Sequence, residues 1–148
     1  MMELNCKALT RMTRTCLPYR SVGSRILNLA SAAAFCPQPG FAVYAATKSY
    51  VLSFSRALGA EVKQKSIYVT AVCPGPVDTA FFEVSGPTDS RLKEKVMVKA
   101  PQVVRRALLD ARARKAVSVY GIPMKGAQIA AKLLPHALVL RLERIGKN

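Results

Sequence analysis

Residues 66–79 read Ser-Ile-Tyr-Val-Thr-Ala-Val-Cys-Pro-Gly-Pro-Val-Asp-Thr. The first seven, Ser66 to Val72, are rich in β-branched residues and predict a buried strand. Pro74-Gly75-Pro76 then turns the chain out of the sheet. Such a turn leaves backbone groups and the Thr79 hydroxyl facing whatever sits at the strand's C-terminal end.

Outward from this stretch, the same alternation repeats. Upstream, Ser24 to Ala30 is short and apolar after Gly23 and predicts another buried strand. A loop with Pro37, Pro39 and Gly40 follows. Tyr44 to about Lys63 then predicts a long helix, with Val51, Phe54, Leu58 and Val62 at three- and four-residue steps. At the start of the chain, Leu4, Ala8, Met12 and Cys16, with Leu9 and Thr13 beside them, predict an amphipathic helix that buries this stripe and ends near Pro18. Downstream, residues 77–100 read as loop and then as weak helix. Pro101 opens a helix through Val104, Leu108 and Ala111, and Ala116 to Tyr120 is a third strand closed by Gly121. The tail from Ala127 to Leu142 is apolar with scattered basic residues and is broken at Pro135.

Helix and strand in alternation predict an α/β fold with a parallel sheet. Three strands with crossover helices amount to half of a doubly wound, Rossmann-like sheet. The expected division is a Rossmann-like unit over residues 1–126 and a basic, apolar tail over 127–148. A helix that begins almost at Met1, with no strand or cap before it, reads as a piece of a larger domain.

The net charge is +15 over 148 residues, and it is uneven. Residues 1–90 carry 9 basic and 5 acidic side chains, whereas residues 91–148 carry 14 and 3. A basic end of this kind suits an anionic surface or an anionic cofactor. No interleaved aromatic platform accompanies the charges, which argues against nucleic acid. Cys6, Cys16, Cys36 and Cys73 form no C-x-x-C pair and the single histidine is His136, so no metal site is expected. Cysteines in apolar stretches suit reduced thiols and a cytoplasmic setting.

The chemistry gathers at the strand ends. Tyr44 and Lys48 are four apart, so they share one helix face a turn apart. An ammonium beside a phenol favours the phenolate, and such a phenol can give or take the proton of an alcohol or carbonyl. Ser31 directly follows the first strand, at the edge where open α/β sheets bind ligands. Asn28 lies within that strand and is expected to serve structure.

Arg25-Ile-Leu-Asn-Leu-Ala-Ser31, Tyr44-Ala-Ala-Thr-Lys48 and Pro74-Gly-Pro-Val-Asp-Thr79, in this order and at this spacing, resemble the short-chain dehydrogenase/reductase family over residues 3 to 122. The resemblance implies an NAD- or NADP-dependent oxidoreductase acting on a small-molecule alcohol or carbonyl. It implies Tyr44 as general acid and base, Ser31 as the group orienting the substrate oxygen, and Lys48 as the partner of both the phenol and the nicotinamide ribose. Asn5 would anchor a proton-relay water. Tyr44, Lys48, Pro74, Gly75, Val77 and Thr79 would contact the cofactor, residues 82–100 would cover the substrate, and the first and long helices would make subunit contacts in a homo-oligomer. The departure is that no G-x-G-x-x-G turn occurs in the chain, although the family uses one to seat the pyrophosphate. Two other readings stay open: a catalytically inactive fragment of the family, and a basic membrane-peripheral module. For the latter, Lys132, Arg141, Arg144 and Lys147 surround Leu133, Leu134, Leu138, Val139 and Leu140.

Overall fold

The computed structural model describes residues 1–79 and 97–145. The chain opens with a helix wound as a wide π-helix over Met2–Ala8 and as α1 over Leu9–Cys16. Strand β1 (Arg25–Leu29), helix α2 (Ala42–Val62) and strand β2 (Tyr68–Val72) follow. Short strands β3 (Val77–Asp78) and β4 (Val98–Lys99) precede α3 (Ala100–Arg112) and β5 (Val117–Ser118). Helices α4 (Ile122–Leu133) and α5 (His136–Ile145) complete the described residues.

The main sheet is parallel, in the order β1-β2-β5. Because successive strand residues point to opposite faces, β2 divides its side chains between two layers. Val69, Ala71 and Cys73 pack toward α2 with Val51, Leu58 and Val62, while Val72 packs toward Val103 and Ala107 of α3. The sheet is thus covered by α2 on one side and α3 on the other, the α/β arrangement expected. On β1, Asn28 faces α2 and donates to Ser55 Oγ at 2.9 Å in a fully buried pair, the structural role expected of it. Leu27 and Leu29, on the other face, are 39% and 61% exposed.

Several sequence expectations shift, each for a physical reason. Ser66 does not begin a strand: its left-handed backbone (φ 54°) closes the turn after α2, and pairing starts at Tyr68. The third strand is only Val117–Ser118. Its ladder with β2 ends where Cys73 N–H reaches Ser118 O, just before the Pro74-Gly75-Pro76 turn carries the chain out of the sheet. The β3–β4 pair, Val77 with Val98 and Asp78 with Lys99, lies within a stretch read as loop and weak helix. The expected boundary at 126/127 falls inside α4, whereas Pro135 does separate α4 from α5.

The opening helix buries only part of the expected stripe. Leu4 and Met12 are 73% and 67% exposed, whereas Leu9 and Thr13 turn inward as expected and are joined by Cys6. A strict four-residue repeat advances about 40° per step around a 3.6-residue helix, so it spirals off any one face. Two hydrogen bonds to α2 settle the orientation, Asn5 Nδ2 to Thr47 Oγ1 (3.0 Å) and Thr10 Oγ1 with Tyr50 Oη (2.6 Å).

Asp110 locks α3 to β5. Its carboxylate, 3% exposed, meets Arg106 Nε at 2.8 Å, Ser118 Oγ at 2.9 Å and Lys115 Nζ at 2.9 Å. Burial alone would raise its pKa, but the bonds from Lys115, Arg106 and Ser118 outweigh burial and hold it below the ordinary carboxylate value. A depressed carboxylate stabilises the fold above its unfolded pKa and loses that contribution as pH falls through the folded one. Asp110→Asn should therefore cost about 2 kcal/mol at neutral pH, discounted for the partly exposed Lys115 and Arg106. The gap from wild type should close in acid. Urea unfolding at both pH values checks this, and an unchanged neutral midpoint contradicts it.

Candidate functional site

Parallel strands bring their C-terminal ends to one edge, and the turns leaving β1 and β2 meet there. Ala30 N–H donates to Val72 O, and Ala32 N–H donates to Pro74 O at 2.8 Å, so the Ser31 loop is tied to the Pro-Gly turn. Ser31 is half-buried; its Oγ accepts from Ala33 N–H at 3.1 Å and caps a short 3-10 turn over Ala32–Ala34. Helix α2 then crosses back with Tyr44 and Lys48 on its first turns, both half-buried.

Lys48 Nζ donates to Leu29 O, the last carbonyl of β1, at 3.0 Å. It also lies 5.7 Å from the centroid of the Tyr44 ring, within cation–π range. Phe41 meets the same ring edge to face at 6.4 Å. Burial lowers the Lys48 ammonium below the usual lysine range, with the neighbouring Cys6 and Cys73 sulfurs pulling the other way. Cys73 is fully buried beside it, and burial pushes its thiol up to about 12 despite Ser31 and Lys48 nearby. At neutral pH that thiol is not a nucleophile.

Asn5 reaches the site indirectly. Its amide donates to Thr47 Oγ1 and Thr47 Oγ1 donates to Tyr44 O at 2.8 Å, so the opening helix steadies the turn that carries Tyr44. Thr47 was not singled out in the sequence. Its signal was available, since a threonine three residues after Tyr44 can bond back to that carbonyl. Ser49 Oγ likewise donates to Ala34 O at 3.0 Å and ties α2 to the Ser31 loop.

Of the residues expected at the site, the structure gathers Ser31, Tyr44, Lys48 and Pro74, with Asn5 behind them. Val77 instead packs against the Val72, Val103 and Ala107 cluster on the α3 side. Thr79 is exposed and donates to Val77 O at 3.3 Å. Residues 82–96 of the expected substrate cover lie outside the described residues; of the rest, Met97 precedes β4, Val98–Lys99 form it, and Ala100 opens α3.

Gly75 sits against Met124: a Cβ there would stand 2.6 Å from the methionine Sδ. The two border a cavity of about 200 Å³ lined also by Met97, Val98, Tyr120, Gly121 and Pro123. That is below the roughly 300–1,000 Å³ usual for a drug-sized ligand. No helix among those described is long and apolar enough to cross a membrane.

Comparison with known proteins identifies the family. The family model described as "short chain dehydrogenase" matches residues 1–89. The chain is 35% identical over 91 residues to the Escherichia coli uncharacterized oxidoreductase YghA, covering 62% of this chain and 31% of that one. It is 39% identical over 103 residues to the very-long-chain 3-oxoacyl-CoA reductase of Anas platyrhynchos, covering 68% and 33%. The chain therefore spans about a third of the length of these curated relatives. A short-chain dehydrogenase from Burkholderia cenocepacia, solved with NADP, superposes with a TM-score of 0.78 at 22% identity, over 95% of this chain and 56% of that one. One from Sphingobium yanoikuyae, solved with NADPH, gives 0.69 at 26% identity, over 92% and 56%.

Proposed function

The chain belongs to the short-chain dehydrogenase family, and from that premise we propose that it forms the proton-transferring part of an NAD(P)-dependent oxidoreductase interconverting an alcohol and a carbonyl. The observation that carries this reading is the placement of Tyr44 and Lys48 one turn apart on α2, with the Lys48 ammonium bonded to the last carbonyl of β1 and 5.7 Å from the phenol ring. Ser31 stands on the adjoining loop.

In the reductive direction the Tyr44 hydroxyl hands its proton to the substrate oxygen as charge develops there. Ser31 Oγ accepts from Ala33, and its own hydrogen is then directed to the same oxygen. Lys48 spends one of its three donors on Leu29 O and offers the others to the hydroxyls of a nicotinamide ribose. In the oxidative direction the Tyr44 oxygen takes the proton back from the alcohol. Asn5, through Thr47, holds the Tyr44 turn in place. The fit to the cofactor is partial. Lys48, Pro74 and Gly75, with the cavity beside Gly75, suit the nicotinamide end; Val77 and Thr79 lie further along the turn, Val77 packed against the α3-side cluster and the Thr79 hydroxyl bonded to Val77 O. When bound, NAD(P) supplies or takes the hydride. The same reading carries a homo-oligomer, supported by the exposed Leu4 and Met12 on the opening helix, and a cytoplasmic setting.

The test is a fusion in which this chain follows the part of E. coli YghA that it does not match. With a panel of ketones and 3-oxoacyl compounds, it should consume NADPH or NADH in step with alcohol formation. Because the Lys48 ammonium is held below the usual lysine range, turnover should fall on the alkaline side before an ordinary lysine would titrate. A folded fusion that binds cofactor but reduces no carbonyl would favour the inactive-fragment reading.

A further inference from the structure

Helix α4 is turned inside out. At 3.6 residues per turn, Ile122, Ile129 and Leu133 fall on one face, with Lys125 and Lys132 along its flank. That face is the solvent side: Ile122 is 86%, Ile129 59% and Leu133 77% exposed, and both lysines are exposed. The face turned toward the fold carries Met124, Gln128 and Ala131, all half-buried. A helix that served only the core would present the reverse pattern.

The surroundings select the partner. From Ile122 to Arg141 the chain contains Lys125, Lys132 and Arg141 and no acidic residue. The adjoining helix α5 adds Leu138, 41% exposed, just beyond the Pro135 break. A second copy pressed on this face would set lysine against lysine with no carboxylate to receive it. Large aliphatic residues with cations at their flank match an anionic lipid surface, where the aliphatics enter the acyl boundary and the ammonium groups meet headgroup phosphates and carboxylates.

We propose that the outer face of α4, continued by Leu138, is a docking surface for an anionic membrane. The sequence places such a surface around Leu133 to Leu140; in the structure Leu134, Val139 and Leu140 are half-buried, and the exposed apolar residues lie one helix earlier. The residues of this face, Ile122, Ile129, Leu133, Lys125 and Lys132, do not line the cavity beside Gly75, so docking and turnover can be assayed apart.

The experiment is co-sedimentation of the full 148-residue chain with vesicles of phosphatidylcholine plus phosphatidylserine and with vesicles of phosphatidylcholine alone. Binding should require phosphatidylserine and be released by high salt. Ile129→Ser with Leu133→Ser, and separately Lys125→Glu with Lys132→Glu, should each weaken it by about tenfold or more while circular dichroism stays unchanged. The lysine pair lies on solvent, so its variant keeps the experiment decisive if the aliphatic pair perturbs folding. Absence of binding, equal binding to both vesicles, or binding unchanged in the lysine variant would overturn the proposal. Light scattering that shows self-association through this face, lost in the same variants and without vesicle binding, would assign the face to a second copy instead.

Discussion

Alone in solution, residues 1–148 should bind NADPH on the order of 10³-fold more weakly than the same chain fused behind the YghA segment. The pyrophosphate of a dinucleotide is usually held by backbone N–H groups of a Gly-rich turn at a helix N-terminus, and the sequence contains no G-x-G-x-x-G. The helices described offer little in its place. Both α3 and α4 carry a proline in their first turn, which removes one of the N–H groups an anion would use. Two charge-assisted bonds lost, at roughly 2 kcal/mol each, account for the factor. The isolated chain should also self-associate, because β1 is an edge strand with Leu27 and Leu29 exposed beside it. Fluorescence titration with light scattering checks both. A clean monomer with micromolar affinity for NADPH contradicts this expectation.

The second large effect belongs to Tyr44. Replacing it with phenylalanine in the fusion keeps the ring that meets Phe41 edge to face and lies beside Lys48 but removes the hydroxyl. A lost general acid typically costs 10²-fold or more in turnover. Nothing in the loss of one oxygen disturbs the contact of Lys48 with Leu29 O, so cofactor binding should stay within about twofold.

The strands and the long helix were legible because their signals are local. Ile26 to Ala30 and Tyr68 to Val72 are short apolar runs, and Val51, Leu58 and Val62 keep helical spacing. The position of Tyr44 and Lys48 on one face followed from helix geometry alone. What could not be read depends on contacts distant in sequence. The β3–β4 pair joins residues twenty-one apart with two residues a side, too short to leave a pattern. The inward face of the opening helix is set by Thr47 and Tyr50, more than thirty-nine residues away. Met124 against Gly75 and the Asp110 lock arise only once α3, β5 and α4 have packed.

Tyr44, at the end of the parallel sheet, is the proposed proton donor. The most direct test is the single-turnover rate of carbonyl reduction in the fusion carrying Tyr44→Phe, measured beside its NADPH dissociation constant. The account predicts a rate lower by about 10²-fold or more with an almost unchanged dissociation constant. A rate near that of the unmodified fusion would contradict it.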